Sequence, residues 1–230
     1  MRRVEKVMLN AVFFDLDGTL ADTAPDLATA LNDLCIENGI DKIPFEKIRP
    51  VVSHGGNAII RLAFDYPESS AEFMQLRQRF LDIYNARLHN STNLFPGMTD
   101  VLAYLEQHHY LWGVVTNKPA WLTDPLMKKL DLSGRATCVI SGDTTAHKKP
   151  HPEPLLHACR IAGCEPGQSV YLGDAERDIQ AGRAAGMLTL VARYGYIENH
   201  EDPLTWNADG IVDTVTEIVP WLEQLNTEND

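Results

Sequence analysis

Acidic side chains recur in the sequence next to short apolar runs. Two aspartates lie in DLDGT, at the end of the first such run, and two more lie in GDAERD, after a later one. Carboxylates that lie close together repel one another, and one must take up a proton unless a cation joins them. Mg²⁺ prefers oxygen ligands, such as one or two carboxylates together with a phosphate and water. The spacing therefore predicts a magnesium site built from Asp15, Asp17, Asp174 and Asp178.

Groups that suit a phosphate follow other apolar runs. Thr116 ends the run YLWGVVT, and a later loop contains the neighbouring lysines Lys148 and Lys149. A hydroxyl and an ammonium group can both donate to phosphate oxygens. Gly18 lets the backbone approach a ligand closely, so that its amide can donate as well. Together with a carboxylate, which can act as a nucleophile, these groups predict a phosphoryl-transfer site.

The runs that precede these residues are typical of buried strands. Strands are predicted at 8–16, 110–116, 137–141, 169–172, 188–193 and 210–212. Helices are predicted from the apolar spacing at 99–105, 122–130, 152–162, 176–185 and 215–225. This alternation predicts an α/β fold with a doubly wound, Rossmann-like parallel sheet. The carboxyl ends of its strands would bring the polar residues into one crevice.

The stretch between the first two predicted strands is helical throughout. Its helices are predicted at 23–38, with Asp22 or Thr23 as the N-cap, at 58–64 and at 71–87, and no strand is predicted between 39 and 90. Roughly 70 residues are too many for a simple crossover connection. We therefore predict an α/β core domain of residues 1–20 and 92–230, and an inserted helical cap domain of residues 21–91.

The charge and hydropathy of the chain exclude several classes of partner. The chain has 20 Lys and Arg against 32 Asp and Glu, a net charge of −12, and such a chain repels a phosphate backbone. No run of about 18 apolar residues predicts a membrane span, and the N-terminus lacks the features of a signal peptide. We expect a cytoplasmic protein that binds neither nucleic acid nor membrane.

Zinc is disfavoured as the metal. The four cysteines form no Cys-x-x-Cys pair. His147 and His151 are spaced like two zinc ligands on a helix, but Pro150 and Pro152 make a helix there unfavourable. The sequence therefore predicts Mg²⁺ rather than zinc.

The motifs, taken in order, resemble those of the haloacid dehalogenase superfamily of phosphatases. DLDGT, a strand ending in TN, then KP and GDAERD follow the superfamily's order over nearly the whole chain, and the helical stretch resembles its small α-helical cap. Within the superfamily, FPGMTDVL, TNKP and KPHPEPLL resemble the phosphoglycolate phosphatase-like group. LWGVVTNKP and RYGYI also look like the bacterial N-acetylmuramic acid 6-phosphate phosphatases.

The resemblance implies a role for each residue at a motif. Asp15 would attack phosphorus and form an aspartyl-phosphate, while Asp17 would protonate the leaving alcohol and then deprotonate the hydrolytic water. Lys149 is chosen over Lys148 because it directly precedes the proline. The implied phosphate-binding residues are Gly18, Thr116, Asn117 and Lys149. The implied metal ligands are Asp15, the carbonyl of Asp17, and Asp174, with Asp178 acting on the metal's waters.

One turn of the helical stretch is both polar and rich in glycine. The resemblance implies that this turn is a specificity loop that closes over the substrate. The alternative is a turn that merely joins two helices, with glycine at positive φ. The residues concerned are His54, Gly55, Gly56 and Asn57.

The predicted function is a Mg²⁺-dependent phosphomonoesterase, monomeric or homodimeric, that acts on a small phosphorylated metabolite. Its substrate would be 2-phosphoglycolate, with N-acetylmuramic acid 6-phosphate as the alternative. A receiver-type phospho-acceptor domain is disfavoured by the nucleophile's place on the first strand and by the helical insertion. A dehalogenase is disfavoured by Asp17 and Asp174, and an inactive binding protein by the complete set of site residues.

Overall fold

A six-stranded parallel sheet forms the centre of the molecule in the computed structural model, which describes residues 9–227. Residues 9–227 contain eight strands: β1 (Ala11–Phe14), β2 (Ala21–Asp22), β3 (Asn93–Leu94), β4 (Leu111–Val115), β5 (Cys138–Ile140), β6 (Ser169–Gly173), β7 (Leu188–Ala192) and β8 (Gly210–Val212). Six of them form this central sheet, and β2 and β3 pair with each other outside it. The sheet has the order β5-β4-β1-β6-β7-β8, and every pair in it is parallel. The chain thus winds outward in both directions from β1, which confirms the predicted doubly wound α/β fold.

Both faces of the sheet are buried, and β1 shows this in four residues. Val12 and Phe14 belong to one hydrophobic cluster, while Ala11 and Phe13 belong to another. Neighbouring side chains in a strand point to opposite faces, so both faces of β1 pack against apolar groups. This explains why the run contains no polar residue.

Nine α-helices accompany the strands within residues 9–227. Four of them lie between β2 and β3: α1 (Ala24–Glu37), α2 (Phe45–Ile48), α3 (Gly56–Arg61) and α4 (Ala71–Ala86). The other five follow: α5 (Met98–Gln107), α6 (Ala120–Lys129), α7 (Glu153–Ala162), α8 (Glu176–Ala185) and α9 (Ile218–Thr227). The later helices lie close to their predicted positions, since apolar residues repeat with helical spacing in each.

The helices α1 to α4, with the 3₁₀ segment Arg49–His54, form a unit that we call the helical insert (residues 24–86). The strands that enter and leave it, β2 and β3, pair antiparallel. The buried carboxylate of Asp26 in α1 accepts hydrogen bonds from the backbone amides of Ser91 and Thr92, which ties the exit of the insert to its entrance. Strands of two residues are too short to show a periodic pattern, so the sequence did not predict them.

Two local predictions differ from the structure. The first strand covers Ala11–Phe14 instead of 8–16, because the chain turns at Leu16 to present the acidic motif; Met8 lies outside the described residues. Thr23 takes the N-cap position of α1, but its side chain caps nothing, because its hydroxyl donates to Asp17 Oδ1 at 2.6 Å. Within residues 9–227, no helix is both long and apolar enough to cross a bilayer.

Candidate active site

Asp15 lies directly after the central strand, at the carboxyl edge of the sheet. Its side chain is 4% exposed and borders a cavity between the core and the helical insert. The Leu16 amide donates to Asp15 Oδ1 at 2.8 Å, and Lys149 Nζ lies 3.0 Å from the same oxygen. Asp15 Oδ2 has no hydrogen-bond partner among residues 9–227, which leaves one carboxylate oxygen available to a ligand.

Lys149 is buried at the centre of the acidic residues. Its ammonium group lies 3.0 Å from Asp15 and 2.8 Å from Asp178 Oδ1, and it donates to the Tyr171 hydroxyl at 2.7 Å. The Tyr171 hydroxyl donates in turn to the Val115 carbonyl at 2.7 Å. A buried ammonium group is tolerated only with such partners. Lys149 thereby offsets part of the negative charge of the site.

Asn117 holds the backbone of Lys149 in place. Its Nδ2 donates to the Lys149 carbonyl, and its Oδ1 accepts from the Lys149 amide, both at 3.0 Å. The predicted role of Asn117 was phosphate binding, but its side-chain amide is used to connect the loop after β4 with the loop that presents Lys149. Thr116, at the end of β4, borders the cavity, and its Oγ1 accepts from the Lys118 amide at 3.2 Å.

Three carboxylates meet at the ends of β1 and β6. Oxygens of Asp15, Asp174 and Asp178 lie within 4.8 Å of one another, and all three residues are buried. Burial, followed by the negative charges of Asp15 and Asp178, raises the pKa of Asp174 to about 7. Burial is also the largest influence on the pKa of Asp15 and raises it, while the Lys149 ammonium opposes that rise. Three buried carboxylates thus share one buried ammonium group, with the Arg177 guanidinium as a further positive charge nearby.

This donor set fits Mg²⁺. The three side chains offer only oxygen atoms, which are the ligands that this hard cation prefers. Burial, and then the charges of Asp15 and Asp178, disfavour the ionised form of Asp174, and a divalent cation bound among the three carboxylates would oppose both effects. The side chains that could hold the ion are those of Asp15, Asp174 and Asp178. The Asp17 carbonyl, which the resemblance implies as a further ligand, stays a prediction.

Two glycines allow the backbone to pass close to Asp174. Gly18 has φ +83°, and a Cβ there would lie 2.1 Å from Asp174 Oδ2. A Cβ at Gly195 would lie 2.4 Å from the Asp174 Cβ. A side chain at either position would displace this carboxylate, so glycine is required at both.

Asp17 faces a different set of partners from the three clustered acids. Its Oδ1 accepts from the Thr23 hydroxyl at 2.6 Å and from Lys118 Nζ at 2.9 Å. Lys118 also donates to the Tyr84 hydroxyl at 2.9 Å, which comes from the helical insert. Burial alone would lower the pKa of Lys118, but Asp17 and Tyr84 outweigh it and raise that pKa. Asp17 is thus held at the cavity wall by a cation.

The helical insert reaches the acidic cluster through Ser53. The Ser53 hydroxyl donates to Asp174 Oδ2 at 2.6 Å, and the Tyr196 amide donates to the same oxygen at 2.8 Å. Arg177, which borders the cavity from α8, donates to the Ser53 carbonyl. Arg49 donates to the carbonyls of Tyr194 and Gly195. These bonds hold the insert against the core directly above the site.

The predicted specificity turn is only partly at the cavity. Gly55, Gly56 and Asn57 border it, whereas His54 is absent from its lining and lies 2.8 Å, through Nε2, from Glu198 Oε1 of the core. Gly55 has φ +86° and ends the 3₁₀ segment before α3, as the alternative of a helix-linking turn requires. The structure therefore separates His54 from the other three residues.

His147 and His151 lie in a loop and not in a helix, which confirms the prediction made from Pro150 and Pro152. Ligand atoms of both and of Glu153 nevertheless lie within 4.8 Å of one another at the surface. The two imidazole rings are stacked with centroids 4.2 Å apart, and His147 Nδ1 is 2.7 Å from Glu153 Oε2. Ring nitrogens bind a metal in the plane of the ring, so stacked rings do not direct their lone pairs at one ion.

Several residues at the site were assigned no role from sequence. They are Thr23, Ser53, Tyr84, Lys118, Tyr171, Arg177 and Tyr196. Lys118 could have been found from its place after Thr116-Asn117, and Arg177 from its place between Asp174 and Asp178. Tyr196 lies in RYGYI, Ser53 directly precedes the polar turn and Thr23 precedes the first helix, but nothing in these positions indicates their contacts at the site. Tyr84 and Tyr171 lie outside the motifs.

The fold and the site together define a hydrolase of α/β architecture with an acidic centre, suited to a divalent cation, at the carboxyl ends of β1, β4 and β6. The family model of the haloacid dehalogenase-like hydrolases matches residues 12–192, and the chain belongs to this family. The resemblance seen in the motifs is thereby confirmed.

Curated relatives and solved structures agree with this assignment. The chain is 38% identical over 221 residues to an N-acetylmuramic acid 6-phosphate phosphatase of Pseudomonas aeruginosa, covering 96% of this chain and 98% of the relative. It is 44% identical over 203 residues to a phosphoglycolate phosphatase of Xanthomonas campestris pv. campestris, covering 88% and 91%. A crystal structure described as a predicted phosphoglycolate phosphatase of Haemophilus somnus superposes with a TM-score of 0.81 at 27% identity, covering 93% and 97%. The expected enzyme class, a phosphoric monoester hydrolase, agrees with these names.

Proposed function

We propose that the protein is a Mg²⁺-dependent phosphatase that hydrolyses the phosphate ester of a small, carboxylate-bearing metabolite through an aspartyl-phosphate. The observation that carries this proposal is the position of Asp15. It directly follows the central strand, Lys149 and the Leu16 amide hold one of its carboxylate oxygens, and the other has no hydrogen-bond partner within residues 9–227. A carboxylate held in this way is oriented for nucleophilic attack.

In the first step, a carboxylate oxygen of Asp15 forms a bond to phosphorus while the bond from phosphorus to the ester oxygen breaks. Asp17, on the cavity wall, gives a proton to the departing oxygen, so the alcohol leaves neutral. In the second step, Asp17 takes a proton from water, which attacks phosphorus and releases inorganic phosphate and free Asp15. Thr116 borders the cavity and would donate to a phosphoryl oxygen. The buried Lys149 ammonium would hold Asp15 in its attacking orientation, and it would reach a phosphoryl oxygen only by giving up one of its present partners, Asp15, Asp178 or Tyr171.

Mg²⁺, when bound by the acidic cluster, would supply positive charge to the phosphoryl oxygens. The helical insert would act as the cap, because its Ser53 contacts Asp174 and Arg177 of the core at the acidic cluster. We propose the cytoplasm as its location and a monomer or homodimer as its state.

The first candidate substrate is 2-phosphoglycolate, the ester in the name of the Xanthomonas relative. The size of the cavity favours a second candidate. Its volume is about 490 Å³, within the range of roughly 300–1,000 Å³ that suits drug-sized ligands. A two-carbon acid leaves most of that volume empty, whereas an N-acetylated sugar acid, as in the name of the Pseudomonas relative, fills more of it.

A comparison of purified enzyme on the two esters tests the proposal. Release of inorganic phosphate is measured with 2-phosphoglycolate, N-acetylmuramic acid 6-phosphate and p-nitrophenyl phosphate, each with Mg²⁺ and with excess EDTA. We expect hydrolysis that EDTA stops and added Mg²⁺ restores, with one of the two metabolites preferred. Full activity in EDTA would contradict the metal requirement and favour a dehalogenase. A phosphorylated protein that persists for hours would favour a receiver domain.

A further inference from the structure

The helical insert contributes an arginine to the wall of the cavity, and within residues 9–227 only one nitrogen of this arginine has a hydrogen-bond partner. Arg77, on α4, borders the cavity, and its Nε donates to Asn57 Oδ1 at 3.0 Å. Asn57 Nδ2 donates in turn to Glu68 Oε2 at 2.7 Å. Neither terminal nitrogen of Arg77 has a partner in the described part of the chain, residues 9–227. The hydrogen bonds between Glu68, Asn57 and Arg77 thus fix one edge of the guanidinium, and they leave its two terminal nitrogens available to a ligand.

Two of the other cations that border the cavity are already engaged. Lys118 is bound by Asp17 and Tyr84, and Arg177 donates to the Ser53 carbonyl. Lys148 also borders the cavity, but it is a point charge on a flexible stem in an exposed loop. A guanidinium presents two parallel N–H donors that match the two oxygens of a carboxylate, and an ammonium group does not.

The two ends of the substrate, the phosphoryl group and the leaving group, would contact different walls of the cavity. The phosphoryl end lies at Asp15 on the core, so the leaving group extends toward the insert wall. Asp82, an acid on the same wall, accepts a hydrogen bond from Gln78, which weakens its repulsion of an incoming anion. Both candidate leaving groups, glycolate and the lactyl ether of a muramic acid, carry a carboxylate.

We propose that Arg77, oriented by Asn57, binds the carboxylate of the leaving group and selects phosphate esters of hydroxy acids and sugar acids over neutral ones. This inference rests on the proposed phosphatase function. Asn57 is a positioning residue, because it acts on the substrate only through Arg77.

Matched substrate pairs measure this selectivity. The first pair is 2-phosphoglycolate and ethyl phosphate; the second is N-acetylmuramic acid 6-phosphate and N-acetylglucosamine 6-phosphate, which lacks the lactyl group. We expect Arg77→Ala to lower kcat/KM for the carboxylate-bearing ester about 10- to 100-fold, as expected for a lost charge-assisted pair, and to leave its neutral partner within about twofold. The loss should lie mainly in KM, and Arg77→Lys should restore part of it.

Arg79→Ala is the matched control. Arg79 lies two residues farther along α4, faces away from the cavity and pairs with Glu37, so its removal should leave the selectivity unchanged. Equal losses on both members of a pair after Arg77→Ala, or a wild-type enzyme that does not prefer the carboxylate-bearing ester, would overturn the subsite and leave the phosphatase standing. Absence of Mg²⁺-dependent hydrolysis with every ester, including p-nitrophenyl phosphate, would overturn the proposed function itself.

Discussion

Replacing Asp174 with asparagine should stabilise the metal-free protein at alkaline pH while removing its response to Mg²⁺. Asp174 is 1% exposed, and burial together with the charges of Asp15 and Asp178 raises its pKa from 3.8 to about 7. The folded state therefore holds the Asp174 proton more tightly than the unfolded chain does. For such a group, stability is greatest below about pH 4 and falls as the pH rises toward about 7.

The size of the effect follows from the same shift. One pKa unit corresponds to about 1.4 kcal/mol, so ionising Asp174 between about pH 5 and about pH 8 costs the folded protein about 3 kcal/mol. Asp174→Asn removes this cost, because an amide does not ionise over this range of pH. The oxygen of the new amide can still accept from Ser53 and Tyr196. In a chain of this size, that free energy corresponds to about 5–12 °C in Tm.

The assay is thermal melting of wild type and Asp174→Asn in EDTA, at about pH 5 and about pH 8. The advantage of the variant in Tm should be about 5–12 °C larger at the higher pH. Adding Mg²⁺ at the higher pH should raise the Tm of wild type and leave the variant unchanged, because ligand binding stabilises only a protein that binds it. If the difference in Tm between the two proteins were the same at both pH values, ionisation of Asp174 would not be what destabilises the folded protein.

Three further substitutions test the site. Asp15→Asn should fold normally by circular dichroism and keep less than about 1% of the phosphatase activity, since an amide is a poor nucleophile; substantial turnover would exclude Asp15 as the attacking group. Lys149→Met should abolish activity and lower the free energy of unfolding in EDTA by about 3–5 kcal/mol, measured in urea, because Asp15 and Asp178 lose their buried cation; unchanged stability would contradict that pairing. His54→Ala should lower kcat/KM equally, by up to about fivefold, on the native ester and on p-nitrophenyl phosphate, because His54 pairs with Glu198 across the boundary between insert and core. A loss confined to the native ester would place His54 at the substrate instead.

Much of the acidic centre was predictable from sequence because a parallel sheet has one carboxyl edge. Once Asp15, Thr116 and Asp174 are each placed at the end of a strand, the topology brings them to the same edge whatever the details of packing. The parallel direction of the strands follows in the same way, since helices between successive strands require parallel pairing and two-sided burial. These properties depend on local pattern and connectivity, both of which can be read along the chain.

The relation of the helical insert to the core could not be predicted in this way. Ser53 and Asp174 are 121 positions apart, yet their side chains lie 2.6 Å apart. Such a contact depends on how one packed unit rests on another, and no periodicity in either segment records it. The same reason explains why His54 and Asn57, which are close neighbours in one turn, have different partners: one pairs with the core and the other orients Arg77 at the cavity.

The fold class, the order of the motifs and the acidic residues that converge could be predicted along the chain, because strand connectivity is encoded in local hydrophobic pattern. The hydrogen-bond partners of each polar side chain depend instead on how distant segments pack together. Asn117 donates to the Lys149 carbonyl, and Thr23 donates to Asp17 in place of capping its helix. Arg77 donates to Asn57 through Nε only, and its two terminal nitrogens have no partner within residues 9–227. A hydrogen bond requires its donor and acceptor to lie about 3 Å apart. The packing of distant segments brings two groups that close, and the spacing of residues along the chain does not predict it.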